Sequence, residues 1–236
     1  MSPCHDDVVP FNHNDHYHEL LLRELPATCH QALDVGCGTG SLARKLASRG
    51  IDVDAVDADG DVIAAAQKQS SAIELPGHIR FEQADITELT LPPGTYDYIV
   101  CVASIHHVPF DTVRKLRAAL TANGVLVILG CYRAATLRDH AVGLLAVPVN
   151  AVLRTAVFLR EKLSKDRTVM GTSTTDASAT GTPGGHITTA PVAPPSMSFA
   201  EVRESAATDL PRSRMRQLLF WRYLLVFRNT EREAGQ

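Results

Sequence analysis

A glycine-rich segment between a predicted strand and a predicted helix has residue types that suit ligand binding. It is Asp34-Val35-Gly36-Cys37-Gly38-Thr39-Gly40, in which the glycines let the backbone turn tightly and approach a ligand without interference from Cβ atoms. Dinucleotide-binding loops place their third glycine three residues after the second and receive a pyrophosphate. Here the third glycine comes sooner, and the carboxylate of Asp34 would repel phosphate and attract an amine. The loop therefore favours a ligand that carries an amino group.

A second carboxylate stands at the end of the next predicted strand. Asp57 closes the segment Val53–Asp57, one helix and one strand beyond the glycine loop. A carboxylate at this place can accept two hydrogen bonds from neighbouring ribose hydroxyls. Asp54 and Asp59 are alternatives, but Asp54 falls inside the strand and Asp59 is placed to cap the following helix. Asp57 is therefore the preferred ribose-binding candidate.

Two adjacent histidines follow the fourth predicted strand, at the sheet edge where open α/β folds bind ligands. The segment Ser104–His107 contains His106 and His107, and a histidine that titrates near neutrality can remove a proton from an oxygen or nitrogen nucleophile. Neighbouring side chains at an irregular strand end are expected to point apart, so only one of them, preferably His106, is the candidate base. The alternative is that both histidines bond backbone groups and fix the loop, while catalysis needs only proximity and orientation.

Three more histidines near the N-terminus, His13, His16 and His18, raise a metal-site hypothesis. Their spacing does not place three ligands on one helical face, and no distant acidic partner is identifiable. We therefore expect no metal site.

The elements that position these residues alternate strand and helix five times between residues 31 and 131. This pattern predicts a parallel, doubly wound α/β sheet with right-handed crossovers. The predicted strands are Ala32–Val35, Ile51–Val56, Ile79–Glu82, Tyr96–Val102 and Val125–Leu129, and the predicted helices are Ser41–Ser48, Asp61–Gln69 and Asp111–Leu120.

The C-terminal part of the chain predicts a capped helix and a strand pair. The capping box Ser198-Phe199-Ala200-Glu201 opens a helix that runs to about Thr208. The run Arg214–Arg228 is typical of two antiparallel strands, although no Gly or Asn-Gly turn divides it.

The chain is accordingly divided into five regions. These are an N-terminal cap-helix region (1–30), the core (31–131), a helical acceptor-lid insertion (132–170), a flexible loop rich in Gly, Thr, Ser and Pro (171–197), and the C-terminal helix and strands (198–236). For the insertion, a buried helix or a homodimer face remains open.

Composition excludes several classes of protein. The 236 residues carry 23 Lys+Arg against 26 Asp+Glu, a formal charge of −3, which argues against a dedicated nucleic-acid or membrane-binding role. Five cysteines without a C-x-x-C pair indicate reduced thiols of a cytoplasmic protein. No signal peptide is visible, and the longest uncharged apolar stretch, Ala141–Leu153, is too short to cross a bilayer. A modest basic cluster of Arg212, Arg214, Arg216 and Arg222 is assigned to a solvated strand face.

Together these motifs resemble the class I S-adenosylmethionine-dependent methyltransferases, whose first motif has the form Asp-Val-Gly-Cys-Gly-Thr-Gly. The resemblance covers residues 31–131 strongly and the C-terminal strands loosely. It implies a Rossmann-like, seven-stranded sheet, mostly parallel with a C-terminal antiparallel strand pair.

The resemblance also implies how the cofactor, S-adenosyl-L-methionine, is bound. The glycine loop would wrap the methionine end of the cofactor. Asp57 would bind the ribose, and the segment Ala84–Ile86 would bind the adenine, with Ala58 against the adenine face. The cofactor-binding residues so implied are Tyr17, Asp34, Gly36, Cys37, Gly38, Gly40, Asp57, Ala58, Asp85, Ile86 and Val102.

The function implied is methyl transfer to an O, N or C nucleophile of a small apolar or aromatic molecule, with His106 or His107 at the acceptor. A protein or RNA methyltransferase is the alternative, but the chain has Ser104–His107 where those enzymes are expected to carry an Asn/Asp-Pro-Pro-Tyr/Phe motif. A non-catalytic cofactor-binding module is the second alternative.

Overall fold

Seven strands form one sheet in the part of the chain that the structure, a computed structural model, describes, namely residues 17–135 and 194–230. In chain order the elements are α1 (His18–Leu22), β1 (Gln31–Val35), α2 (Ser41–Ala47), β2 (Asp52–Asp57), α3 (Gly60–Ser70), β3 (Ile79–Gln83), β4 (Tyr96–Val102), a 3₁₀ helix (Ile105–His107), α4 (Thr112–Ala119), β5 (Leu120–Cys131), α5 (Phe199–Asp209), β6 (Arg214–Leu218) and β7 (Arg222–Arg228).

The order of strands in the sheet is β3-β2-β1-β4-β5-β7-β6. Neighbours from β3 to β5 are parallel, whereas β7 runs antiparallel to both β5 and β6. The predicted fold class is therefore confirmed. Since the chain order reverses at the β1–β4 pair, a crevice is expected outside the carboxyl ends of these two strands. The glycine loop follows β1 and the 3₁₀ helix follows β4, so both lie at this crevice.

The sheet is buried on both faces, as parallel sheets usually are. One apolar cluster packs α4, α5 and the 3₁₀ helix against the sheet, and includes Leu116 and Val202. The other packs α1, α2 and α3 on the opposite face, and includes Leu21 and Leu46. This sandwich of helices holds the strand ends, and with them the loops of the crevice, in fixed positions.

Two of the three expected helix caps form. Asp59 accepts hydrogen bonds from the N–H groups of Asp61 and Val62 at the start of α3. Ser198 and Glu201 form both bonds of the predicted capping box. Asp111 precedes α4 as expected but makes no side-chain capping bond.

Strand β5 begins earlier than its sequence predicts. The strand was predicted to start at Val125, but it already starts at Leu120. A shift in the β4–β5 register between Tyr96 and Tyr98 absorbs these additional residues as a bulge.

The turn between β6 and β7 uses aromatic residues in place of glycine. Phe220 and Trp221 have φ angles of 61° and 53°. Left-handed backbone is unfavourable for residues with a Cβ, and such strain is concentrated at functional sites. This is why no turn signal was visible in the predicted run Arg214–Arg228.

Replacing Phe220-Trp221 by Asn-Gly is expected to raise the free energy of unfolding by ~1 kcal/mol, because both residues tolerate positive φ. Urea unfolding of the two proteins measures the change. A loss of stability would mean that contacts of the aromatic side chains outweigh the backbone strain.

Three predicted regions are mostly outside the described residues. The predicted lid (132–170) is described only at 132–135, the predicted flexible loop (171–197) only at 194–197, and the N-terminal region only from Tyr17. Among the helices that the structure describes, none is long and apolar enough to cross a membrane.

Candidate functional site

The glycine loop uses its backbone N–H groups inside the protein. Those of Gly36 and Cys37 donate to the Val56 carbonyl at 2.8 and 3.0 Å. That of Gly38 donates to Asp57 Oδ2 at 2.9 Å. A phosphate-binding loop needs free N–H donors, and these three are already bonded. The geometry therefore leaves these three N–H groups unavailable to a phosphate.

The three glycines of the loop differ in why a larger side chain would be unfavourable there. Gly36, Gly38 and Gly40 all have positive φ. A Cβ on Gly36 would collide with Ser104 Cβ, and one on Gly40 would lie 2.7 Å from the Phe81 ring. No described atom lies within 4 Å of a Cβ on Gly38. Gly36 and Gly40 therefore permit packing, whereas Gly38 leaves open space beside the crevice.

This difference predicts opposite behaviour for two alanine variants. Gly36→Ala should lose ~2–4 kcal/mol of stability, because the new methyl group overlaps Ser104 at a position that is also strained. Gly38→Ala should lose only ~1–2 kcal/mol, for the strain alone, but should lose cofactor binding because the methyl group fills the open space. Urea unfolding and calorimetry separate the two effects. Equal affinity in Gly38→Ala would contradict this assignment.

Asp57 is held in place by the glycine loop, next to which it is expected to bind a ligand. Its Oδ2 accepts the Gly38 N–H, and its Oδ1 accepts the Asp59 N–H at 3.1 Å. Its rival Asp54 is occupied, because it accepts bonds from Arg80 Nε and Tyr96 Oη, each at 2.8 Å. Although burial opposes them, these bonds hold the pKa of Asp54 below its usual range. Asp57 thus has only backbone groups as hydrogen-bond partners at the end of β2, whereas Asp54 is held by two side chains.

Asp34 is a buried carboxylate beneath the loop. It is only 1% exposed, and its Oδ2 has no hydrogen-bond partner within the described structure. Burial, together with the negative charge of Asp57, raises the pKa of Asp34 to about 7, although a bond from the Ala43 backbone opposes this. An unpartnered buried oxygen is costly unless a donor from a ligand satisfies it.

The segment expected at the adenine lies next to Asp57. The Ala84 N–H donates to the Asp57 carbonyl at 2.9 Å. Asp85 is exposed, and its Oδ1 accepts both the N–H and the hydroxyl of Thr87, which lowers its pKa. Its Oδ1 therefore stabilises a turn, which is a common role of aspartate in loops. Ile86 is buried in the core, so only its backbone is available to a ligand.

Three other residues predicted to bind the cofactor, Cys37, Ala58 and Val102, lie at or just after the ends of β1, β2 and β4. Ala58 is exposed, and its carbonyl accepts Gln83 Nε2 at 3.2 Å. The Cys37 thiol is buried and has a raised pKa, chiefly because of desolvation, so its reactivity is suppressed. Val102 ends β4, and the next residue, Ala103, has a φ of 53°. Ser104 Oγ donates to the Val35 carbonyl at 2.7 Å and so links the loops after β1 and β4.

The two histidines after β4 lie side by side, contrary to the expectation that they point apart. They belong to the 3₁₀ helix, and their ring centroids are 4.0 Å apart. His106 is half-buried and His107 is exposed. His106 Nδ1 is buried and has no hydrogen-bond partner in the described chain. The alternative in which His106 fixes the loop through this nitrogen is therefore not what the structure shows.

His106 is uncharged at neutral pH. Burial lowers its pKa to about 4, with further contributions from His107 and the positive charge of Arg222. A neutral imidazole can accept a proton, but a low pKa makes it a weak base.

Tyr17 was predicted to bind the cofactor, whereas Arg222 was predicted to lie on a solvated strand face. Tyr17 is buried in front of α1, and its hydroxyl donates to the Leu219 carbonyl at 3.3 Å, in the β6–β7 turn. Arg222, grouped with surface arginines in the sequence, is half-buried and pairs in register with Cys131. Predicting that β5 pairs with β7 could have distinguished the half-buried Arg222 from the exposed Arg214 and Arg216.

No group of metal-ligating side chains occurs among the described residues. Of the N-terminal histidines, only His18 is described, and it is buried in α1. His13 and His16 lie outside the described residues.

Comparison with known proteins agrees with the geometry. The family model for a methyltransferase domain matches residues 32–124. An uncharacterized methyltransferase of Mycobacterium tuberculosis is 32% identical over 220 residues, which cover 93% of this chain and 97% of that protein. A ubiquinone biosynthesis O-methyltransferase of Albidiferax ferrireducens is 31% identical over 97 residues, 41% of this chain and 38% of that one. The crystal structure of the Bacillus YcgJ protein aligns with a TM-score of 0.47 at 23% identity, over 54% of this chain and 56% of its own. This chain belongs to the class I S-adenosylmethionine-dependent methyltransferases.

Proposed function

We propose that this methyltransferase acts on an oxygen, nitrogen or carbon nucleophile of a small molecule with an apolar or aromatic part. The observation that carries the proposal is a glycine loop with bonded amides, an unpartnered buried carboxylate oxygen on Asp34, and an unpartnered nitrogen on His106 in the 3₁₀ helix after β4. The first two features suit a cationic cofactor and the third an acceptor group. One relative, the ubiquinone biosynthesis O-methyltransferase, is named for a small-molecule pathway.

The residues at the crevice fit S-adenosylmethionine, which when bound supplies an electrophilic methyl group on a sulfonium. Asp57 would accept the ribose hydroxyls, and Asp34 would compensate the charge of the amino group. Gly38 leaves open space for close approach. The remaining positions that we assign to this pocket are Tyr17, Gly36, Cys37, Gly40, Ala58, Asp85, Ile86 and Val102.

We assign the acceptor side of the crevice to His106 and His107. The unpartnered Nδ1 of His106 is available to accept a hydrogen bond, and then a proton, from the nucleophile. Because its pKa is about 4, His106 is already deprotonated above pH 5. His107, whose ring packs against it, would hold it in place.

We therefore expect that titration of His106 causes no change in kcat/KM between about pH 5.5 and 8. Any inflection caused by His106 should lie below about pH 5. His106→Ala should lower kcat by about 10²-fold, a common size for loss of a general base. Steady-state rates across pH measure both. Full turnover in His106→Ala would remove it from catalysis, and an inflection near pH 6.5 that this variant abolishes would contradict the low pKa.

The proposal is tested by calorimetry with S-adenosylmethionine, followed by transfer of a tritiated methyl group. Binding in the micromolar range is expected, and its absence at millimolar cofactor would contradict the proposal. Label should enter a small-molecule extract. Incorporation only into a protein or RNA fraction would instead assign one of those acceptors, and binding without transfer to any fraction would indicate a non-catalytic module.

A further inference from the structure

Arg222 is a half-buried arginine that lacks a carboxylate partner. It opens β7 at the carboxyl end of β5, opposite Cys131, and its Nη1 donates to the Cys131 thiol at 3.6 Å. Four other arginines form ion pairs, namely Arg80, Arg114, Arg133 and Arg228. In the described parts of the chain, no carboxylate lies within ion-pair distance of Arg222. A thiol is only a weak acceptor, so the charge is left largely uncompensated.

The surroundings of Arg222 place it on the acceptor side of the crevice. Burial lowers the pKa of His106 and raises that of Tyr17, and the positive charge of Arg222 acts to lower both, so Arg222 lies close enough to influence each group. Tyr17 is itself bonded to Leu219, three residues before Arg222. Leu219 and Trp221, in the turn that leads into β7, are 36% and 40% exposed and so present apolar surface in the turn directly before Arg222.

We propose that Arg222 binds an anionic group, a carboxylate or a phosphate, on the methyl acceptor. This rests on the proposed function, because it identifies the acceptor's chemical class. A partly desolvated charge is unfavourable without a partner, and an anion from the ligand would supply it. The planar guanidinium matches two oxygens of a carboxylate or phosphate in a bidentate arrangement. The exposed turn residues would contact the apolar part of the same molecule.

The test uses the full chain and three small probes: benzoate, phenyl phosphate and the neutral benzamide. The His106 ring resonance is followed by NMR, with and without S-adenosylhomocysteine. A bound anion compensates Arg222, so benzoate or phenyl phosphate should raise the pKa of His106 while benzamide should not. Whichever anion acts at lower concentration identifies the group. A phosphate requirement would show as an effect of phenyl phosphate alone.

Three variants make the test specific. Arg222→Gln should raise the pKa of His106 without any probe and weaken the anion effect by about 10-fold or more, while Arg222→Lys should retain part of it. Arg216→Gln removes the same charge from an exposed site on β6 and should behave like the unmodified chain within about twofold. The proposal is overturned if neither anion shifts His106, or if the shift persists in Arg222→Gln.

The outcome does not depend on the cofactor assignment. Failure of S-adenosylhomocysteine to bind, with an intact anion effect in its absence, would overturn the proposed cofactor site alone. Normal binding of S-adenosylhomocysteine without an anion effect would overturn the role of Arg222 alone.

Discussion

Replacement of Asp57 by alanine is expected to weaken binding of S-adenosylhomocysteine by about 10²–10⁴-fold. Two charge-assisted hydrogen bonds to a ribose would be lost, and each is worth ~1.5–3 kcal/mol. The loop would be disturbed as well, because Asp57 accepts the N–H of Gly38 at 2.9 Å and that of Asp59 at 3.1 Å. Calorimetry with the ligand measures the total effect.

Two further variants separate these contributions. Asp57→Asn keeps an oxygen that can accept one backbone N–H but loses the charge, so it should retain more stability than affinity. Asp61→Ala removes an exposed carboxylate from the first turn of α3 and should bind normally. Unchanged affinity in Asp57→Ala would contradict the assignment of Asp57 as the residue that binds the ribose.

Replacement of Asp34 by asparagine is expected to stabilise the ligand-free protein at pH 8 and to weaken cofactor binding. The pKa of Asp34 is raised from 3.8 to about 7 by burial and by Asp57. The folded protein therefore holds the proton more tightly than the unfolded chain, and its stability falls as pH rises from about 4 to about 7. Above that range the ionised form disfavours folding by ~4 kcal/mol.

The asparagine variant removes this penalty but leaves a buried amide, so the expected gain at pH 8 is ~2–4 kcal/mol. The difference between variant and native protein should shrink towards zero below about pH 3, where Asp34 is protonated in both folded and unfolded chains. Urea unfolding at several pH values measures this trend. A constant difference at all pH values would mean that the ionisation of Asp34 is not its cause.

Asp34→Asn should change cofactor affinity in the opposite direction from stability. If the ionised Asp34 compensates the amino group of the cofactor, Asp34→Asn should bind at least about 10-fold more weakly at pH 8. The affinity of the native protein should decrease as pH falls below about 7, because protonation removes the charge, whereas the affinity of the variant should stay level through the same range. Equal affinities at pH 8 would make Asp34 a purely structural residue.

The sequence by itself determined the features that depend on local backbone requirements. The alternation of strand and helix follows from hydrophobic periodicity, and the cap at Asp59 and the capping box at Ser198–Glu201 follow from unpaired N–H groups at helix starts. The glycine loop is also a local signal, since positive φ at Gly36, Gly38 and Gly40 selects glycine. Such features involve residues a few positions apart, which a single sequence displays directly.

The tertiary structure alone decided which of the neighbouring polar groups remain available. Asp54 and Asp57 are similar in sequence, but Arg80 and Tyr96 come from other strands to occupy Asp54. The two histidines share one 3₁₀ turn, so they pack together although a strand end would have separated them. Arg222 was predicted to lie with the surface arginines, but β7 pairs with β5 and places Arg222 opposite Cys131. In each case the deciding contact joins elements far apart in the chain, and the spacing of residues within one element contains no information about which distant group will be packed against it.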